Sequence, residues 1–151
     1  MIRFLKWAAI AVVALFALAY FLGDPAPPQR TAALPLHQVK AQAGMVAYDL
    51  LARTPGSYAG QLVTFRGKVI QVTQSGRSYV LRIDVNQAKY NIWKDTLYVD
   101  YRTSTDTDPR ILKDDIVQLW GEFVGIKSYT AVLGQTIQIP HVVARAVEAS
   151  R

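Results

Sequence analysis

From Leu62 onward the apolar residues recur with period two, in short blocks broken by glycine, and this pattern restricts the body of the chain to a strongly curved sheet. The blocks run from Leu62 to Val72, Ser78 to Val85, Thr96 to Arg102, Ile116 to Gly125 and Gln135 to Ile139, which predicts five strands. Gly67, inside the first block, is expected to form a bend or bulge that lets one long strand serve both sides of a small barrel. Pro140 is expected either to end the fifth strand or to occupy an edge, with Val142, Val143 and Ala144 continuing after a bend. Residues 126–133 read as a loop or short turn, and residues 73–77 as the first turn.

Ahead of the strands the period is helical. Val39, Ala43, Val46, Ala47, Leu50 and Leu51 share one stripe, which predicts a packing helix over residues 37–53, ended by Pro55-Gly56. Gly44 is the weak point of that helix. Residues 103–115 contain Pro109 and two consecutive acids, so the connection between strands three and four should hold a turn rather than a helix. The preceding helix is then the expected plug for the open end of the barrel.

The amino-terminal residues 1–23 have a different composition. Arg3 and Lys6 flank a charge-free stretch from Trp7 to Leu22, which reads as a membrane anchor with its amino terminus cytoplasmic. The alternative is a cleaved secretory signal with Ala17-Leu18-Ala19 as its small-residue site. Both readings place the remaining residues outside the cytoplasm. Pro25, Pro27, Pro28 and Pro35 make residues 24–36 a linker, residues 37–148 the domain with its preceding helix, and residues 149–151 a tail.

With no cysteine, neither a disulfide nor a thiolate site is available. The formal charge is +6, but from Val39 onward fourteen Lys/Arg face ten Asp/Glu, a mild excess that does not by itself indicate nucleic acid. His37 and His141 are the only histidines, too few for a histidine-based metal centre. Asp106, Asp108, Asp114 and Asp115 lack the glycine and closing glutamate of an EF-hand loop. No nucleophile elbow or phosphate loop is present, and the possible carboxylate pair Asp100 and Glu122 has no sequence-defined separation. Catalytic, metal and cofactor sites are therefore not expected.

Three motifs carry a family resemblance. They are Pro55-Gly56-Ser57-Tyr58-Ala59-Gly60 with the run from Val63 to Val72, the run from Ile111 to Gly125, and the run from Leu133 to Pro140. Over residues 48–146 the chain resembles the oligonucleotide/oligosaccharide-binding (OB) fold, specifically small exported or membrane-attached bacterial domains of poorly defined role. The resemblance implies an all-β, five-stranded barrel. A haem chaperone of similar architecture carries a histidine followed closely by tyrosine near its carboxyl end, and the run from His141 to Arg145 lacks it.

The fold implies binding, with strands two and three and their flanking loops as the usual face. Tyr98, Arg102, Lys127 and Tyr129 are the expected contacts for a protein partner in an inner-membrane or envelope complex, while nucleic acid is not the expected partner. Arg66, Lys68, Arg82 and Trp120 are the candidates if the ligand is instead an exported anionic polysaccharide or a single strand of nucleic acid. Phe65, Leu97, Val99, Leu119 and Phe123 are assigned to the core.

Overall fold

The computed structural model describes residues 34–131 and 134–150, of which those from Pro35 onward belong to one compact unit. The expected anchor, nearly all of the linker, Val132, Leu133 and Arg151 lie outside the described residues. Among the described residues no helix is long and apolar enough to cross a membrane. The elements are α1 (Leu36–Gln42), α2 (Tyr48–Arg53), β1 (Leu62–Ser75), β2 (Ser78–Gln87), β3 (Trp93–Arg102), β4 (Ile116–Thr130) and β5 (Thr136–Ser150), with short 3-10 turns at Pro55–Ser57 and Lys89–Asn91.

The five strands close in the order β1-β2-β3-β5-β4, and β4 returns to pair with β1. All pairs are antiparallel except β3 with β5, which run parallel from Tyr98↔His141 to Tyr101↔Ala144. The fold is OB-like, and no helix interrupts residues 103–115. Alternation places Val63, Phe65, Val69, Leu81, Ile83, Leu97, Val99, Leu119, Phe123 and Val142 inside. Leu51 from α2 and Ile111 from the β3–β4 connection join the same core.

Several expectations need correction. The single helix over residues 37–53 is two helices, because residues 43–47 are extended and Gly44 forms a parallel bridge to Val63. Gly44 receives the Thr64 N–H at 3.0 Å and donates to the Leu62 carbonyl at 3.1 Å. β2 reaches only as far along β1 as Lys68, so the first residues of β1 need this other backbone partner. Leu50 falls off the expected buried stripe and is exposed, while Leu51 is fully buried.

β4 and β5 are also longer than the alternation indicates. Residues 126–130 are strand rather than loop: they pair with residues 136–140 in a hairpin arm closed by Ala131 N–H to Gln135 O at 2.8 Å. Pro140 sits inside β5, opposite Ile126, just before the point where β3 begins to pair with the other edge. A missing N–H is tolerated there because that edge has no strand partner yet. Gly67 is not the bulge, which lies between Val69 and Gln71. A Cβ on Gly67 would come 2.5 Å from the Asp84 carbonyl oxygen, so its role is close approach of backbones.

Candidate binding face

On β3, Leu97 and Val99 point inward and therefore turn Thr96, Tyr98, Asp100 and Arg102 outward. The same parity turns Val80, Arg82 and Asp84 outward from β2, and His141, Val143 and Arg145 outward from β5. These three neighbouring strands make one continuous outer surface. The β4–β5 arm closes over part of it, with Lys127 and Tyr129 two residues apart on β4.

The contacts under the arm alternate cation and ring. The Arg82 guanidinium lies 4.1 Å from the centre of the Tyr129 ring, and Lys127 Nζ lies 5.1 Å from that of Tyr98. Each such contact is worth about 0.5–1 kcal/mol at a partly exposed site, so the pair pins the arm to the surface beside β2 and β3. Tyr98 also meets His141 edge to face at 5.1 Å, and His141 Nε2 is 2.8 Å from Asp100 Oδ2. No acidic residue occurs between Phe123 and Val147, so the arm itself is wholly neutral or cationic.

Beneath this layer Asp84 is 8% exposed and accepts the Thr96 hydroxyl at 2.6 Å. Replacing Thr96 with valine keeps the shape but removes that donor. The expected cost is about 1–3 kcal/mol of unfolding free energy, read from urea denaturation, because a buried acceptor loses its partner.

Arg102 lies farther along the same strand, with Nη1 3.3 Å from Ser78 Oγ. It is four positions along β3 from Tyr98, roughly 13 Å at strand rise. It lines a groove of about 580 Å³ together with Asp100, Val143 and Arg145. Of the proposed partner contacts, Tyr98, Lys127 and Tyr129 thus come together, while Arg102 belongs to the groove.

The alternative ligand set divides. Arg82 joins the arm cluster, but Arg66 lies opposite Gln118 and Lys68 opposite Ile116 on the β1–β4 side of the barrel. Lys68 Nζ is 2.9 Å from Asp114, and its hydrogen bond holds that carboxyl below the usual range. Trp120 is capped by Lys40 of α1, 4.5 Å above its ring, and Lys40 also pairs with Glu148. Helix α1 therefore occupies the position that a ligand on Trp120 would take.

Within the β3–β4 connection Asp106 pairs with Arg77 at 3.7 Å, while Asp108 and Asp115 serve the backbone. Asp108 accepts the Thr105 hydroxyl and the Ser104 and Thr105 N–H groups, which lower its carboxyl pKa, the hydroxyl most. Asp115 accepts the Leu112 N–H at 2.8 Å. Among the described residues no three metal-ligating side chains of the His, Cys, Asp or Glu type converge. Asp100 and Glu122 are not adjacent either, since both pair across Val143, one from each side of β5.

Sequence reasoning missed the His141–Asp100 contact and the place of Arg145 in the groove. Both depend on the parallel β3–β5 pairing. His141 and Asp100 are 41 residues apart, and no local signal joins them.

No family model and no curated protein matches the chain. Among solved structures it is similar to an aspartyl-tRNA synthetase from Entamoeba histolytica, at 16% identity over 78% of this chain and 23% of that one, with a TM-score of 0.47. It is likewise similar to a protein assigned as an aspartyl-tRNA synthetase from Leishmania major Friedlin, at 11% identity over 82% of this chain and 23% of that one, with a TM-score of 0.49. The chain spans under a quarter of either structure.

Proposed function

We propose that this chain is a non-enzymatic binding module, tethered to a membrane by its amino-terminal segment, that holds an acidic segment of another envelope protein. The observation that carries the reading is the cation–ring cluster of Arg82, Tyr98, Lys127 and Tyr129, drawn from three strands and bordered by an arm without acids. Cations beside large amphipathic rings suit a protein interface, where Arg and Tyr supply much of the binding energy. Carboxylates on the partner would complement Arg82 and Lys127 and speed encounter. Confinement to one membrane would raise the effective concentration of both proteins.

The alternative, an exported polysaccharide or nucleic-acid strand, draws on the same cations and rings. Tyr98 and Tyr129 each have one ring face taken by Lys127 or Arg82, which leaves less aromatic surface for stacking and favours the protein reading.

Photo-crosslinkers placed at Tyr98 and Tyr129, and at Arg66 as a control, test this in intact membranes. The expected result is one stoichiometric protein adduct from the first two positions, joined through an acidic stretch. Lys127→Glu combined with Arg82→Glu should reduce its yield at least about tenfold, in line with charge-assisted contacts of roughly 1.5–3 kcal/mol. Equal adducts from Arg66, or a yield indifferent to charge reversal, would sink the proposal. Recovery of a polysaccharide or nucleic acid would favour the alternative.

A further inference from the structure

The turn between β2 and β3 runs on past its neighbouring strands. β2 pairs with β1 only up to Asp84, and β3 pairs with β5 only from Tyr98, whereas the β2–β3 ladder continues to Gln87↔Trp93. At its tip Tyr90 is 92% exposed and Ile92 58%. Tyr90 and Asn91 have φ of 62° and 59°, the left-handed region that glycine enters freely and a bulky side chain enters at a cost. A tyrosine so exposed packs against almost nothing in its own domain, so no contact there offsets that cost. The turn is nevertheless fixed: the Gln87 amide donates to Asn91 Oδ1 at 2.7 Å, and the Ala88 N–H donates to the Ile92 carbonyl at 2.7 Å.

Charge and size narrow the occupant. Residues 85–94 contain Lys89 and Lys94 and no acid. Lys94 Nζ stays 4.0 Å from Asp95, whose carboxylate accepts the Asn86 amide at 2.7 Å, and the lysine side chain is 63% exposed. A ring and an aliphatic chain rimmed by lysines match the boundary between acyl chains and anionic headgroups, where tyrosine settles at headgroup depth. A stable protein interface needs about 800 Å² from each partner, far more than one tyrosine and one isoleucine supply. A bilayer takes up each side chain independently and has no such threshold.

We infer that the β2–β3 tip is a bilayer-contact element, which seats Tyr90 and Ile92 at the surface of an anionic membrane and sets Lys89 and Lys94 on its headgroups. It lies apart from the partner surface under the arm, and for the presence of a bilayer it rests on the membrane reading of the amino-terminal segment. Leu36, beside Ser78 and Arg102, marks the far end of β3, about 30 Å from the tip at strand rise. Residues 24–35 reach at most about 40 Å when extended, enough for the tip to touch the bilayer that holds the tether.

The test uses the full chain reconstituted into nanodiscs of phosphatidylcholine, with or without phosphatidylglycerol. Because the chain has no cysteine, a nitroxide attached through Ala88→Cys reports on the tip alone, and one attached through Thr107→Cys reports on the β3–β4 connection. Oxygen and nickel-chelate accessibility distinguish lipid from water. The expected result is a lipid-immersed label at position 88 in anionic discs and a water-exposed label at 107. Lys89→Gln combined with Lys94→Gln should shift the immersed-to-exposed ratio about thirtyfold toward water. Ile92→Ser should also expose the label with both lysines present, which adsorption by charge alone would not do. Lys127→Glu should leave immersion unchanged and so separates the tip from the partner surface. Retention of the chain by neutral discs reads the anchor independently: elution apart from neutral discs, with the tip still entering anionic ones, would refute the anchor and support the tip. A water-exposed label at 88 in anionic discs, immersion indifferent to the lysines and Ile92, or a photo-crosslinker at Tyr90 that captures protein instead of lipid would overturn the inference.

Discussion

Leu51→Ala is expected to lower the unfolding free energy by about 3 kcal/mol, within the range of roughly 2.7–5 for a buried leucine cut to alanine. Leu51 is fully buried and sits in the core with Val63, Leu119 and Phe123, although it comes from a six-residue helix that precedes the barrel. A helix that short has little stability of its own, so its order depends on this anchor. Its neighbour Leu50 is 45% exposed, and Leu50→Ala should change stability by under about 0.5 kcal/mol. Chemical denaturation of both variants checks the pair. Equal effects would mean that α2 rests on the barrel without plugging it.

The second large effect falls on backbone rather than side chain. Gly121→Ala is expected to cost about 3 kcal/mol, at the upper end of overpacking, because the new Cβ would lie 2.4 Å from the Val143 oxygen and 2.7 Å from Ala144 Cα. Both obstacles are main-chain atoms in the paired strand β5, so neither can rotate aside. Gly56→Ala is the control, since nothing lies within 4 Å of a Cβ there, and it should stay within about 0.5 kcal/mol of the parent. Thermal and urea unfolding of the two variants read the difference directly. A neutral Gly121→Ala would mean that β4 and β5 can separate locally at this point.

The outcome for glycine illustrates how much of the fold the residues disclose. Gly67 signals that something unusual happens within β1, and the alternation around it marks the correct core residues. What it does there, admitting the Asp84 carbonyl, depends on β2 and lies beyond any reading of local pattern. Gly44 is similar: it weakens a helix locally, yet its use is a bridge to β1 almost twenty residues later. Leu50 and Leu51 show the same limit, because a stripe drawn through one continuous helix misplaces Leu50 once the helix is broken.

The binding face follows the same division. Tyr98 and Arg102 are visibly on one side of β3, and Lys127 and Tyr129 are two apart, so parity alone assigns them to faces. That Arg82 should meet Tyr129, and that Arg66 and Trp120 should stand on the β1–β4 side, required knowing which strands are neighbours.

Residue pattern alone was enough for the five-stranded barrel class, its apolar inner face, the absence of a helix between β3 and β4, and the lack of cysteine chemistry. These follow from side-chain period and residue type, which act over a few residues. The parallel β3–β5 pairing emerged only from the folded barrel, and with it the contact of His141 with Asp100 and the place of Arg102 and Arg145 in one groove. Such pairings depend on how strands distant in sequence bury one shared core, and no periodicity within a single strand records its neighbour.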